Sequence, residues 1–301
     1  MKIVSHFAGH KHSRLVLAAA FIFGTAMQSV AQSPQFTGHY PAGSEGLKAA
    51  TLPPPGLYFR DYNTFYYADR FPGGPPDFKV WAYVNAPRLI WMTPWKILGG
   101  DYGMDVLIPL GYSEVTAPGL SDKEWSVGDV YFAPIDIAWH PKRFDFAVAY
   151  GFWAPSGNYD PAHPARLGKG FWSQMFTAGA TWYPDDAKKW SMSVLNRYEI
   201  QSENTDLHIT PGNAYTMEWG IGRSVAGMLD VGAVGYWQWQ TTKDTHTGAS
   251  GVHDQVVGLG PEIGGVIPKI GVIATLRYLR EFEARDRPEG NTVTLTLTKR
   301  F

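Results

Sequence analysis

The feature that most constrains this chain is a series of twelve amphipathic stretches whose connections alternate long and short. The stretches are residues 57–68, 80–91, 98–110, 129–139, 143–153, 171–183, 190–201, 214–223, 229–240, 255–266, 270–282 and 291–301. Each is roughly ten to thirteen residues long, the length that a tilted strand needs to cross a bilayer. Connections 69–79, 111–128, 154–170, 202–213, 241–254 and 283–290 are long, polar and rich in Gly, Pro, Asp and His, whereas 92–97, 140–142, 184–189, 224–228 and 268–269 are short. A membrane barrel built from hairpins has short turns on its periplasmic rim and long loops on its outer rim. Six long and five short connections place both chain ends on the short-turn rim. The expected fold is therefore all-β, a transmembrane antiparallel up-and-down β-barrel of about twelve strands.

The alternation inside the stretches agrees. Val293, Leu295 and Leu297 share one parity in the last stretch, and Thr292, Thr294, Thr296, Thr298 and Arg300 the other. A period of two is a strand with one apolar and one polar face. The chain stops on an aromatic, Phe301, as outer-membrane barrels do, which makes it a candidate assembly signal for barrel-assembly machinery. Phe144, Phe146, Val148, Tyr150 and Phe152 oppose Asp145, Ala147, Ala149, Gly151 and Trp153. In 129–139 the expectation is Tyr131, Ala133, Ile135, Ile137 and Trp139 on one face with Asp136 on the other. Pro134 within it costs a ladder hydrogen bond, so a bulge or bend is expected there. Beyond the export signal no apolar run reaches about eighteen residues, which excludes helical spans. Backbone groups in lipid must all be paired, and a closed barrel then remains as the spanning structure.

Residues 1–31 read as an export signal. Lys2, Lys11 and Arg14 precede the apolar run 15–26, and Ser29-Val30-Ala31 suits cleavage before Gln32. Losing those three cations moves the net charge from −1 to −4. Residues 32–55, rich in Pro, Gly and small side chains, read as a flexible N-terminal leader, with Pro53-Pro54-Pro55 as a stiff extended lead-in. Residues 56–301 are the expected outer-membrane barrel. The 26 basic and 27 acidic residues give no nucleic-acid footprint, and the absence of cysteine removes disulfides and thiolate metal sites.

Chemistry-bearing motifs are sparse. There is no nucleophile elbow and no phosphate-binding loop. Gly220-x-Gly222 and Gly258-x-Gly260 read as strand glycines. No cofactor, metal site or catalytic residue is expected. His246 and His253 share a long loop, which reads as solvated. Spacing alone leaves open a Ser/His/Asp site on the barrel rim, as in outer-membrane lipases. Asp105, Asp136, Asp145, Arg197, Glu199, Arg277 and Glu281 lie on inner parities. They suit either a transverse field that selects permeants or a packed salt-bridge network. Trp91, Trp95, Trp139, Trp153, Trp172, Trp182 and Trp190, near stretch ends, suit interfacial girdles. Trp153 and Trp172 also suit stacking of an aromatic permeant.

Several motifs carry a family resemblance. They are Gly128-Asp129-Val130 with Pro134 and Trp139-His140, the run Gly151-Phe152-Trp153-Ala154-Pro155-Ser156-Gly157-Asn158-Tyr159, Leu167-Gly168-Lys169-Gly170-Phe171-Trp172, and Thr181-Trp182-Tyr183. Val231-Gly232-Ala233-Val234-Gly235-Tyr236, Gln238-Trp239-Gln240 and Gly258-Leu259-Gly260-Pro261 complete them. In order and spacing the chain resembles the phenol-degradation transporter-like family of outer-membrane barrels over residues 56–301, with Ser156 where Thr is more usual. The resemblance implies an outer-membrane channel linked by genetic context to aromatic-compound catabolism, and it brings no catalytic residues. Two classes of function follow. One is passive uptake of small compounds, hydrophobic or phenolic ones included, with outer-membrane lipid and a small-molecule permeant as partners. The other is a plugged structural or enzymatic barrel. An open lumen favours the first and a filled lumen the second.

Overall fold

A computed structural model describes residues 37–245 and 251–301. The expected export signal and His246 lie outside the described residues. Among the described residues there are fourteen strands: β1 (Gly56–Arg70), β2 (Lys79–Ile97), β3 (Gly100–Leu107), β4 (Leu110–Ala117), β5 (Leu120–Val127), β6 (Val130–Trp139) and β7 (Phe144–Ala154), followed by β8 (Ser173–Trp182), β9 (Trp190–Gln201), β10 (Ala214–Val225), β11 (Leu229–Gln240), β12 (Gln255–Ile267), β13 (Val272–Arg285) and β14 (Glu289–Arg300). All the pairings are antiparallel, and β1 pairs with both β14 and β2, which closes the sheet. The ring is β1, β2, β3 and then β6 to β14, a barrel of twelve strands with β4 and β5 added.

The additional pair corrects the expected long loop over 111–128. β2 runs for 19 residues and is flanked on one side by β1 along most of its length. On its other side Arg88–Ile97 pairs with β3 and Lys79–Asn85 with β4. β3 and β4 thus share one position in the wall, one above the other. The chain jogs between them at Pro109, which has no N–H to give a ladder, while Ile108 N–H donates to the Pro87 carbonyl (3.1 Å). From there β3 continues the ring through β6 and β4 folds onto β5. The sequence signal was the turn pair Pro118-Gly119, with Gly119 at φ +78°.

Pro134 does bend its strand. The β6–β7 register shifts between Phe132 and Ile135. The extra residue reverses the parity, which corrects the single face expected for that stretch. Tyr131 and Ala133 turn inward and are buried, together with Asp136. Ile135 and Ile137 pair with the outward residues Tyr150 and Val148.

β14 keeps its simple alternation. Leu295 is 38% exposed on the outer surface, whereas Thr294 is 3% and Thr296 8% exposed inside. Phe301 N–H donates to the Leu57 carbonyl (2.9 Å), so the last residue is tied to the first strand while its ring stays exposed.

Candidate functional site

The lumen is filled by the protein's own N-terminal segment. Residues 37–55, read from the sequence as a flexible leader, run inside the barrel from the long-loop mouth down to the short-turn rim, where β1 begins. Their path can be followed by contacts. The His39 and Tyr40 N–H groups donate to Glu199 near the outer end of β9 (2.8 and 3.2 Å). The Tyr40 hydroxyl donates to Glu218 (2.8 Å). Glu45 pairs with Arg60 and Arg88 at 3.2 Å each and accepts the Tyr62 hydroxyl (2.9 Å). Leu47 N–H donates to Glu262 (2.9 Å), Lys48 pairs with Asp230 (2.7 Å), and the Thr51 hydroxyl donates to Asp145 (2.9 Å) near the opposite rim.

A segment without regular structure can be buried only if its backbone finds partners, and here wall carboxylates supply many of them. Glycines permit the close approach. A Cβ on Gly46 would overlap Glu262 Oε2. Gly43 has φ +83° and would meet Leu279 at 2.5 Å. Apolar contacts add to the seat, with Ala42 and Leu47 against Val234, Tyr236, Val256 and Leu279, and Ala50 between Ala147 and Leu195.

The seven charged residues singled out by inner parity all lie inside and buried. Asp105 takes both ends of the Arg88 guanidinium (2.8 and 2.6 Å). Asp136 faces Gly103 across the same ladder, two residues from Asp105. Asp145 accepts the Tyr183 hydroxyl (2.6 Å) and contacts His140 (2.9 Å). Arg197 pairs with Glu218 (2.7 Å) and lies over the Tyr40 ring (4.0 Å). Arg277 pairs with Glu262 (2.6 Å) and donates to the Gly43 carbonyl. Glu281 accepts the hydroxyls of Tyr66 and Tyr236 (2.8 and 2.5 Å). They do not converge on one centre. They are spread around the wall, each facing the inner segment or a neighbouring strand.

The two tryptophans part company. Trp153 is 5% exposed and stacks on His39 inside the lumen (5.6 Å between ring centres, 16° between planes), so it does not belong to an interfacial girdle. Trp172 is 51% exposed and packs against Phe152 on the outer surface (5.9 Å). Sequence reading missed Glu45, Arg60, Arg88, Glu218 and Glu262. A signal existed for each: Glu45 is the only acid in residues 32–55, and the others fall on inner parities.

At the outer mouth Asp129, His39 and Ser173 form a hydrogen-bonded chain, with His39 Nε2 to Asp129 at 2.9 Å and His39 Nδ1 to Ser173 Oγ at 2.5 Å. The connectivity is that of a nucleophile–base–acid relay. Ser173, however, is fully buried and its hydroxyl also touches Gln201, which leaves no room for a substrate. The arrangement acts as a clasp on the inner segment. Asp129 is further held by N–H groups of Gly157 (2.9 Å) and Lys169 (2.8 Å), and Lys169 Nζ donates to the Thr37 and Gly38 carbonyls. His253, on another outer loop, contacts the Gln240 carbonyl (2.8 Å).

Among the ionisations that bear on the clasp are those of His39 and Asp129. Burial lowers His39 from 6.5 to about 4, against the pull of the Asp129 carboxylate and with the Lys169 charge adding to the lowering. Asp129 is pushed up by burial, but hydrogen bonds from His39 and the two N–H groups outweigh this and hold it below 3.8. A released His39 therefore binds a proton between pH 6.5 and about 4 that the seated one refuses. Protonating Asp129 at lower pH removes its advantage as well, so both groups favour release as pH falls. Solute uptake by reconstituted protein should rise as pH drops through this window, and His39→Gln should flatten the dependence. A profile equally steep in the variant would place the titrating group elsewhere.

The sequence profile described as "Putative MetA-pathway of phenol degradation" matches residues 62–297. The chain belongs to this family. No curated protein sequence matches it. Among solved structures, an outer membrane channel from Pseudomonas putida F1 is similar at TM-score 0.74 and 16% identity, over 87% of this chain and 99% of that one. The β domain of the Bordetella autotransporter BrkA is similar at TM-score 0.49 and 13% identity, covering 83% of this chain and 100% of that one. The CymD monoaromatic hydrocarbon channel reaches TM-score 0.43 at 8% identity, covering 83% of this chain and 89% of that one. The closed barrel and the family place the protein in the bacterial outer membrane, with lipid against its outer wall.

Proposed function

We propose that this barrel is a conduit for passive uptake of small compounds, hydrophobic and phenolic ones included, and that residues 37–55 hold it in a closed state. One observation carries the reading. The wall's main ion pairs are strand to strand: Arg88 on β2 with Asp105 on β3, Arg197 on β9 with Glu218 on β10, and Glu262 on β12 with Arg277 on β13. They do not need the inner segment. A wall whose strand-to-strand pairs persist without the segment remains held and wettable when it leaves, with Arg60, Glu199 and Asp230 exchanging its groups for water, whereas an apolar core would collapse. The reading is of a conduit and not of an enzyme. Uptake of phenol and of a non-aromatic solute of similar size, compared in proteoliposomes, tests it. Background rates for both, with and without the inner segment, would favour a permanently closed structural barrel, the reading to which the filled lumen lends weight.

Phe301 serves in this proposal as the contact for barrel-assembly machinery. Its ring is 71% exposed, so it contributes little to packing. Deleting it should lower outer-membrane yield several-fold while leaving the heat-modifiable gel shift of assembled barrels unchanged. Equal yields would remove the assembly role.

A further inference from the structure

One patch of the outer wall breaks the rule that lipid-facing positions are apolar. On β1, Tyr58 and Tyr62 point inward and are buried. The opposite parity therefore faces lipid, and it carries Asp61 and Asn63 between Phe59 and Phe65. Asn85 joins them from β2, where it pairs with Asn63. Their neighbours on β14 are the outward Leu297 and Leu295. An acid and two amides thus sit together where the adjoining β14 presents Leu295 and Leu297. An ionisable side chain facing hydrocarbon is costly and marks a functional site with a partner.

The three polar side chains hold one another. Asn63 Nδ2 donates to Asp61 Oδ2 (2.9 Å), Asn85 Nδ2 to Asp61 Oδ1 (2.7 Å), and the Tyr83 hydroxyl to Asn63 Oδ1 (2.8 Å). A carboxylate accepts about two hydrogen bonds per oxygen, so each Asp61 oxygen keeps a vacant acceptor position. The cluster is short of donors. Over it lies an open depression of about 720 Å³, lined by aromatic rings and by Leu295 and Leu297. Phe65 packs on Tyr83 (4.8 Å), Trp81 on Tyr112 (5.6 Å) and Tyr112 on Trp125 (5.8 Å). Trp125, at 63% exposed, stands at the edge on β5. The extra hairpin is what builds this wall, since Tyr112 and Trp125 lie on β4 and β5.

We infer that this patch is a binding site, open to the bilayer, for a small aromatic compound bearing a hydroxyl donor. The rings take the aromatic body, and the hydroxyl donates a charge-assisted hydrogen bond to Asp61. Complementarity selects this occupant. An alkyl chain would leave the acceptors bare, and an ether or ester lacks the donor. A structural role for Asp61 would be met at less cost by leucine, as on β14. The biological use of the site rests on the conduit reading, while the site itself rests on the geometry of the wall.

The test uses the full-length protein in lipid nanodiscs with 4-fluorophenol as probe and its O-methyl ether, 4-fluoroanisole, as control, read by fluorine NMR line broadening. Saturable binding of 4-fluorophenol is expected, with the ether weaker by about tenfold, the value of one such hydrogen bond. Asp61→Leu should reduce the phenol to the level of the ether, and Trp125→Ala should weaken both. Equal binding of phenol and ether would overturn the proposal, as would phenol binding unchanged in Asp61→Leu. If Asp61→Leu does not assemble, Trp125→Ala decides, because Trp125 lies on the added hairpin outside the ring; unchanged binding there overturns it. The chain has no cysteine, so Trp125→Cys provides a single handle. Efficient disulfide-linked dimers would assign the patch to a second copy instead. Uptake in proteoliposomes separates this site from the conduit. Saturable phenol binding without solute uptake supports the site and removes only the conduit. Uptake without phenol-selective binding removes only the site.

Discussion

Without residues 32–52, the barrel should admit small solutes roughly an order of magnitude faster than the intact protein, since the lumen of a twelve-strand barrel has room for water once emptied. The variant keeps the export signal, so the mature chain begins close to β1. The backbone bonds to Glu199, Glu218 and Glu262 go with the segment, as do the Glu45 and Lys48 ion pairs. The strand-to-strand pairs stay, so the barrel should still give a heat-modifiable gel band. Gly46→Leu reaches the same end by a different route. Its Cβ would overlap Glu262 Oε2, and that carboxylate is pinned by Arg277 and cannot swing away cheaply. The segment must then lift locally. Single-channel conductance in planar bilayers checks both variants. Two silent variants with native gel mobility would mean that something other than this segment closes the lumen.

The second large effect concerns stability. Arg277→Ala should cost about 3–5 kcal/mol, because it leaves Glu262 buried without its cation. Arg277 and Glu262 side chains are only 4% and 5% exposed, so water cannot screen the loss. Arg277 also holds the Gly43 carbonyl, and the variant therefore loosens the inner segment too. The double variant Arg277→Met, Glu262→Met should recover most of the stability, short of about 1 kcal/mol for the lost Leu47 N–H acceptor. Urea unfolding in lipid vesicles measures both. A double variant as unstable as the single one would show that the pair acts through packing and not through charge.

Much of the wall was legible because a strand in a barrel must obey a period of two and alternate its connections. The alternation of Thr and Leu in 291–301 gave β14 its inner and outer faces directly. The same rule pointed to Arg197, Glu199 and Arg277 as interior. It failed wherever a local break shifts the period. Pro134 reverses β6, so Tyr131 lines the lumen while Ile135 faces out. Pro109 interrupts the third position of the wall, and the hairpin that follows reads as a polar loop because its Asp122, Glu124 and Ser126 bond to an outer loop and not to lipid. The path of the inner segment was not legible, and its one signal was the lone acid Glu45. Residues 37–55 have no period, since they bond to the wall through backbone groups and not through a repeating side-chain face.

The chain by itself determined a closed outer-membrane barrel of twelve spanning strands, because lipid forbids unpaired backbone groups and the spacing of polar and apolar residues allows no other spanning form. Only the tertiary structure decided what fills it. Whether interior charges line an open path or grip a buried segment depends on distances between residues far apart in the chain, such as Glu45 to Arg88 or Leu47 to Glu262. Those distances are set by strand register around the whole ring, and no local pattern encodes them.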